Sequence, residues 1–276
     1  NSVTDVDMWI IAGVTNVLAV YKKEKNLVPI TPEEYRRLLN YVQLGSKLIE
    51  SRFSDTRLKD LKGKYVTGTL FQRGTGETFP DYEFAGYTGQ EFPKTTPINK
   101  LRYRQKGVAW DLSHSRRFVH VFETLSENKD ILGLNFPTKD HMVKMANQLN
   151  YATFNLDFKK PLFSNFMDGT NGWYRINYAD RKGFGYGPSD MSIAVLIGGY
   201  GFWSIYSSDT QKIFTALSDM LKSKDPEVRK HVINHYETYV WKQHNRAREF
   251  DFEKPDDSKT LSILIQFLPS LCFIYH

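Results

Sequence analysis

The sequence predicts a mainly α fold of paired antiparallel helical hairpins, with long irregular loops and little β structure. Three observations carry this. Apolar residues recur near 3.6 spacing behind Ser, Thr, Asp or Pro start signals. Neighbouring helical stretches are joined by short connections, which favour antiparallel pairing. Two stretches, about 62–110 and 154–189, interrupt the pattern; the first is punctuated by Gly and Pro. One helical domain over 1–276 is expected, with those stretches as loop inserts, because no repeat, low-complexity segment or shift in composition divides the chain.

An apolar stretch over 5–22 opens the helical series. Thr31-Pro32-Glu33-Glu34 offers an N-cap, a proline at the first helical position and a capping-box glutamate. Behind it Tyr35, Leu38, Leu39, Val42, Ile49 and Phe53 fall on one face. Asp111 or Ser113 could cap a helix running to about Glu127, and Thr138 one carrying Met142, Met145, Ala146 and Leu149. An apolar segment over 190–206 precedes Ser208-Asp209-Thr210-Gln211, whose helix turns Ile213, Phe214, Leu217, Met220 and Leu221 inward. Asp225-Pro226 starts a further helix, with Val228, Val232, Ile233, Tyr236, Tyr239 and Val240 inward. The hairpins expected are 5–22 with 31–53, 113–127 with 138–150, 190–206 with 208–223, and 226–246 with 259–272. Within the first insert Tyr65–Phe71 reads as a strand and Gly74-Thr75-Gly76 as a turn.

Composition bounds the function. Hydrophobic residues at 41% and charged residues at 25% exclude a disordered chain. The net charge of +6 points to an anionic partner: nucleic acid, a membrane surface or an acidic glycan. The surplus gathers in 62–117, with ten basic residues against five acidic ones. The single cysteine, Cys272, excludes an internal disulfide and a cysteine-based zinc cluster. Met8–Tyr21 is too short, and Thr260–His276 too interrupted by polar residues and Pro269, to supply the about 20 apolar residues of a membrane span. The chain begins at Asn1, which fits a trimmed product, and an exported or periplasmic location with the signal removed is the expectation.

Chemistry-bearing residues concentrate in Phe166–Tyr206, which holds ten aromatic residues and eight glycines. Aromatic faces interleaved with Asp168, Asn171, Arg175, Asn177 and Asp190 suit sugars, whose C–H faces are apolar and whose rims are polar. A second concentration is Gly107–Arg117, where Trp110, Asp111, His114, Arg116 and Arg117 gather at a helix start. Its bland reading is a capping aspartate with surface arginines. Asp81 and Glu83 lie on one side of an extended segment and could pair as acid and base. His231 and His235 have a metal-compatible i, i+4 spacing, but residue 232 is Val and no third ligand is evident. No metal and no cofactor are expected.

Hairpin-paired helices with Trp110-Asp111, Asn171-Gly172-Trp173-Tyr174 and Gly185-Tyr186-Gly187-Pro188 resemble the (α/α)-toroid group of polysaccharide hydrolases, lyases and epimerases. Four hairpins, against the six or seven usual in that group, suggest an open arc or bundle. The resemblance implies cleavage of a glycan, with acidic glycans among the candidates. In a hydrolase version Asp168 or Asp111 protonates the leaving oxygen and Asp190 activates water. Trp110, Trp173, Tyr174 and Tyr186 stack sugars, Asn171 adds hydrogen bonds, and His114, Arg116 and Arg117 hold carboxylates or sulfates. On a uronic acid, a lyase with Tyr or His as base is equally open. The alternatives are a non-catalytic glycan- or envelope-binding module and a single-stranded nucleic-acid binder. Nucleic acid is disfavoured because the basic and aromatic stretches are separate. The sequence leaves the oligomeric state open.

Overall fold

Thr4 closes a capping box at the start of α1 (Asp5–Lys23): its hydroxyl accepts from the Asp7 N–H, and its own N–H donates to Asp7 Oδ2 at 2.8 Å. Thr31 and Glu34 do the same for α2 (Pro32–Glu50), whose first residue is a proline. The computed structural model describes residues 2–74, 85–88, 106–175, 186–237 and 269, and the described chain is mainly helical. The Asp81/Glu83 pair, four of the ten basic residues of 62–117 (Lys94, Lys100, Arg102 and Arg104), the 238–246 end of one expected helix and, Pro269 apart, the 259–272 segment lie outside those residues.

α1 and α2 pack together as a hairpin. α2 stops at Glu50, and Phe53, expected on its inner face, instead begins β1 (Phe53–Lys59). β1 pairs antiparallel with β2 (Tyr65–Phe71), from Phe53 opposite Phe71 to Lys59 opposite Tyr65. Asp60 closes the turn by accepting from the N–H groups of Lys62 and Lys64, both at 2.9 Å.

The helix expected from 113 divides into α3 (Leu112–Ser115) and α4 (Arg117–Glu127), followed by α5 (Lys129–Leu132). α4 packs chiefly on α1. α6 (Lys139–Gln148), expected to pair with it, lies instead across the β-hairpin. Gly68 permits that approach: a Cβ there would collide with Gln148 Oε1, which accepts from Thr56 Oγ1 at 2.6 Å. A π turn (Leu149–Thr153) extends α6 and brings buried Asn150 to Ser207 and Thr210 at the start of α8 (Ser208–Lys222). The 190–206 segment forms α7 (Ser192–Ile197) and a 3-10 stretch (Tyr200–Ile205), and the latter packs on α8. Asp225 caps α9 (Pro226–Val232), which runs on as a π turn to Glu237.

The strand pair and α4 share an aromatic core. Phe53, Phe71, Trp110, Phe118, Phe122 and Phe136 touch in a chain of ring contacts 4.9–5.7 Å between centroids. Such pairs each contribute about 0.5–1.5 kcal/mol beyond their buried area. Among the described residues no helix is long and apolar enough to cross a membrane.

Candidate functional site

Segments about sixty residues apart, around Asp111 and Asn171, meet edge to edge. Asp111 bridges Phe166, Leu112 N–H donates to Asn165 O at 2.8 Å, and Met167 N–H donates to Trp110 O at 3.0 Å. Asn165, which no local signal marks, organises the junction. It is fully buried, its amide donates to Gly172 O and Gly187 O at 2.8 Å each, and its Oδ1 accepts from Met191 N–H at 3.0 Å. Asn171 adds a second clasp: Oδ1 accepts from the Ser189 N–H at 2.8 Å and Nδ2 donates to Ser189 Oγ at 3.0 Å. Gly172 is required where it stands, because its φ is +140° and a Cβ would strike the Gly86 and Tyr87 backbone.

Asp111 and His114 form the electrostatic centre. Asp111 is wholly buried and caps α3, accepting at Oδ1 from Ser113 N–H (2.9 Å) and His114 N–H (3.2 Å). Its Oδ2 lies 2.6 Å from His114 Nδ1. Burial pushes the Asp111 carboxyl up, but the His114 charge and hydrogen bond, the Arg175 guanidinium and the Ser113 hydroxyl outweigh it and hold the group far below the usual carboxylate range. A carboxylate in that state only accepts, so Nδ1 carries a hydrogen and Nε2 is the His114 nitrogen that titrates. The nearby Asp111 charge raises the His114 pKa against opposing effects of burial and Arg175. The His114 side chain is 28% exposed, so the pair has one dry end and one end open to solvent.

Around this pair the candidate residues divide. Trp110 is 8% exposed and packs edge-on against Phe71, within the core. Tyr174 is fully buried between Phe166 and Tyr186, at 4.8 and 5.3 Å. Trp173 and Tyr186 are half-buried; Gly187 lies under the Trp173 ring, where a Cβ would come within 3.1 Å of it. Asp168 accepts from Ala109 N–H at 3.0 Å and Thr170 N–H at 2.9 Å, and Asp190 accepts from Gly187 N–H at 2.7 Å. Arg117 donates to Ser113 O and approaches Asp5 of α1 at 3.5 Å. Arg116 is half-buried, and burial lowers its pKa, with the Arg117 charge adding to the effect.

Arg175, expected only as a polar neighbour of the aromatic rings, and Tyr200, assigned no role at this site from sequence, both shape the centre. Arg175 is 8% exposed, has a positive φ of 59° and lies 5.9 Å from the Tyr186 ring centroid, with its charge acting on both Asp111 and His114. Tyr200, fully buried, donates to Leu112 O at 2.7 Å and lies 3.1 Å from Ser115 Oγ, fixing α3 from behind. The left-handed backbone and burial that turn Arg175 toward Asp111 and His114, rather than toward the aromatic loop alone, are invisible in the sequence.

No family model, curated protein or solved structure matches this chain. Among the described residues no three His, Cys, Asp or Glu side chains gather as a metal site. A groove of about 320 Å³ lies between α1 and α2 and shares no residue with the Asp111–His114 centre.

Proposed function

We propose that the chain is a glycan-active enzyme whose acid–base group is His114, acting on a uronate-containing polysaccharide by β-elimination. The observation that carries this reading is the Asp111–His114 pair: a wholly buried, ionised carboxylate at 2.6 Å from an imidazole side chain that is itself partly exposed. Neutral His114 takes the proton from C5 of the uronate through Nε2. The electrons form the C4=C5 bond as the C4–O glycosidic bond breaks, and the His114 imidazolium passes its proton to the leaving oxygen and returns to the neutral form. Asp111 fixes the tautomer and stabilises the imidazolium, and Arg175 supplies positive charge against the sugar carboxylate. Trp173 and Tyr186, the half-exposed rings, are the stacking surfaces.

Elimination fits these residues better than hydrolysis. A hydrolase needs one carboxyl that donates a proton, and Asp111 stays ionised while Asp168 and Asp190 spend oxygens on backbone N–H groups. The same engagements favour a second reading, a non-catalytic glycan-binding module in which the acids serve the loops alone. The toroid resemblance belongs to this proposal as an open arc; what supports it is the α1–α2 hairpin.

The deciding measurement is ultraviolet absorbance of the new double bond, with a parallel reducing-end assay, over a panel of uronate polysaccharides. Wild type should generate both signals, and His114→Ala neither. Reducing ends without the absorbance signal point to hydrolysis and overturn the elimination step. Neither signal, with binding that Trp173→Ala abolishes, selects the binding module.

A further inference from the structure

α1 carries two apolar faces. Met8, Ala12, Thr15, Leu18 and Ala19 are buried. A second row, Val6, Ile10, Gly13, Val17 and Val20, points outward, with Val6 61%, Ile10 58%, Val17 41% and Val20 41% exposed. The row alternates steps of four and three, the seam that another helix fits. A second apolar row on a helix wants a cover of its own, and no described helix is long and apolar enough to cross a membrane. Beside the seam α2 exposes Tyr41, Leu44 and Leu48, and Ile10 and Leu48 line the same groove.

We propose that α1 packs antiparallel on α1 of a second copy of this chain, about a two-fold axis at Gly13. The seam reads nearly alike in both directions from Gly13, which sets Val6 of one copy against Val20 of the other and Ile10 within one residue's rise of Val17. That self-matching is what a two-fold interface demands. Gly13 has no heavy atom within 4 Å of where its Cβ would stand, so the helix backbones can approach closely at the axis. The ends match in charge. The first turn of α1 carries Asp5 and Asp7 and the last turn Lys22 and Lys23, so the antiparallel order places the acidic end of each copy beside the basic end of the other. A parallel order would set like charges together. The α2 residues Tyr41, Leu44 and Leu48 then widen the covered face on both sides.

Light scattering and sedimentation of the full chain over a range of concentrations test this. The expected mass is twice 32.1 kDa, and Ile10→Glu should weaken the dimer more than about tenfold while leaving the circular dichroism melt of the subunit in place. A second measurement does not depend on that variant. In a Cys272→Ser background, Val6→Cys mixed with Val20→Cys should crosslink on oxidation, and Val6→Cys alone should not. A single-chain mass at every concentration overturns the proposal, as does a dimer indifferent to Ile10→Glu. Crosslinking of Val6→Cys to itself overturns the antiparallel order.

Discussion

Asp111 reaches His114 twice, through the helix-capping bond to its N–H and through the 2.6 Å contact of Oδ2 with Nδ1. One buried carboxylate therefore starts a helix and sets the charge of an imidazole. The two roles can be separated by substitution. Asp111→Asn keeps a capping oxygen but loses the charge, and Asp111→Ala loses both. Denaturant titration should show Asp111→Ala destabilised by about 3–5 kcal/mol, the range for breaking a buried ion pair, with Asp111→Asn between it and wild type. Equal stability of all three would refute the role given to the carboxylate.

The pair also makes a pH prediction. The folded-state pKa of His114 is raised, so its stabilising charge is fully present below about 6.5, the unfolded value. It is lost as pH rises through the folded value. The stability difference between wild type and His114→Gln should thus be largest in mild acid and shrink toward alkaline pH. His120, His231 and His235 have lowered values, from burial first, and oppose this trend in the absolute stability. The comparison with His114→Gln cancels them. NMR titration of the His114 ring should give a value above the ordinary one, and Asp111→Asn should bring it down.

Asn165 holds its loops with both amide hydrogens and its carbonyl oxygen. Asn165→Ala strands the Gly172 carbonyl and the Met191 N–H, while the Gly187 carbonyl keeps its bond from the Asp190 N–H. Each abandoned buried group costs about 1–3 kcal/mol, so a loss of at least about 2 kcal/mol is expected by chemical denaturation. Amide exchange at Met191 should accelerate ahead of amides in α8. Unchanged exchange there would rule out the clasp.

Gly172→Ala tests the contact between the 85–88 segment and the segment around Trp173. Strain at positive φ costs about 1–3 kcal/mol, and the new methyl also meets the Gly86 and Tyr87 backbone. The thermal midpoint should fall, and the Tyr87–Trp173 bridge should open. Gly133→Ala, with a similar φ sign but no neighbour within 4 Å, is the control and should cost less.

Under the proposed elimination, Arg175→Gln should depress turnover on uronate polymers while sparing the fold less than a surface change would, because Arg175 is nearly buried. The informative readout is the pH profile. Loss of the Arg175 charge raises the His114 value, so the alkaline rise in rate should move to higher pH. A profile that keeps its position would separate Arg175 from the reacting group.

Features closed within a few residues could be read from the order of the amino acids. The Thr31–Glu34 box, the Thr138 and Asp225 caps and the Asp111 cap each join partners three or fewer positions apart, so both partners stand in the same short string. The Tyr65–Phe71 strand was legible from its own composition. Its partner β1 was not, because Ser54, Asp55 and Arg57 face solvent and Phe53 continues a helical period until the rings of Phe71, Phe118 and Phe122 claim it. The tertiary structure alone decided that Trp110 and Tyr174 turn inward, that Asn165 clasps two loops, and that Arg175 and Tyr200 serve the Asp111–His114 pair. Those outcomes depend on burial and on partners as far as eighty-eight positions away. Side-chain type fixes what a residue can bond, while only the packed chain fixes which groups are there to bond and which are sealed from water.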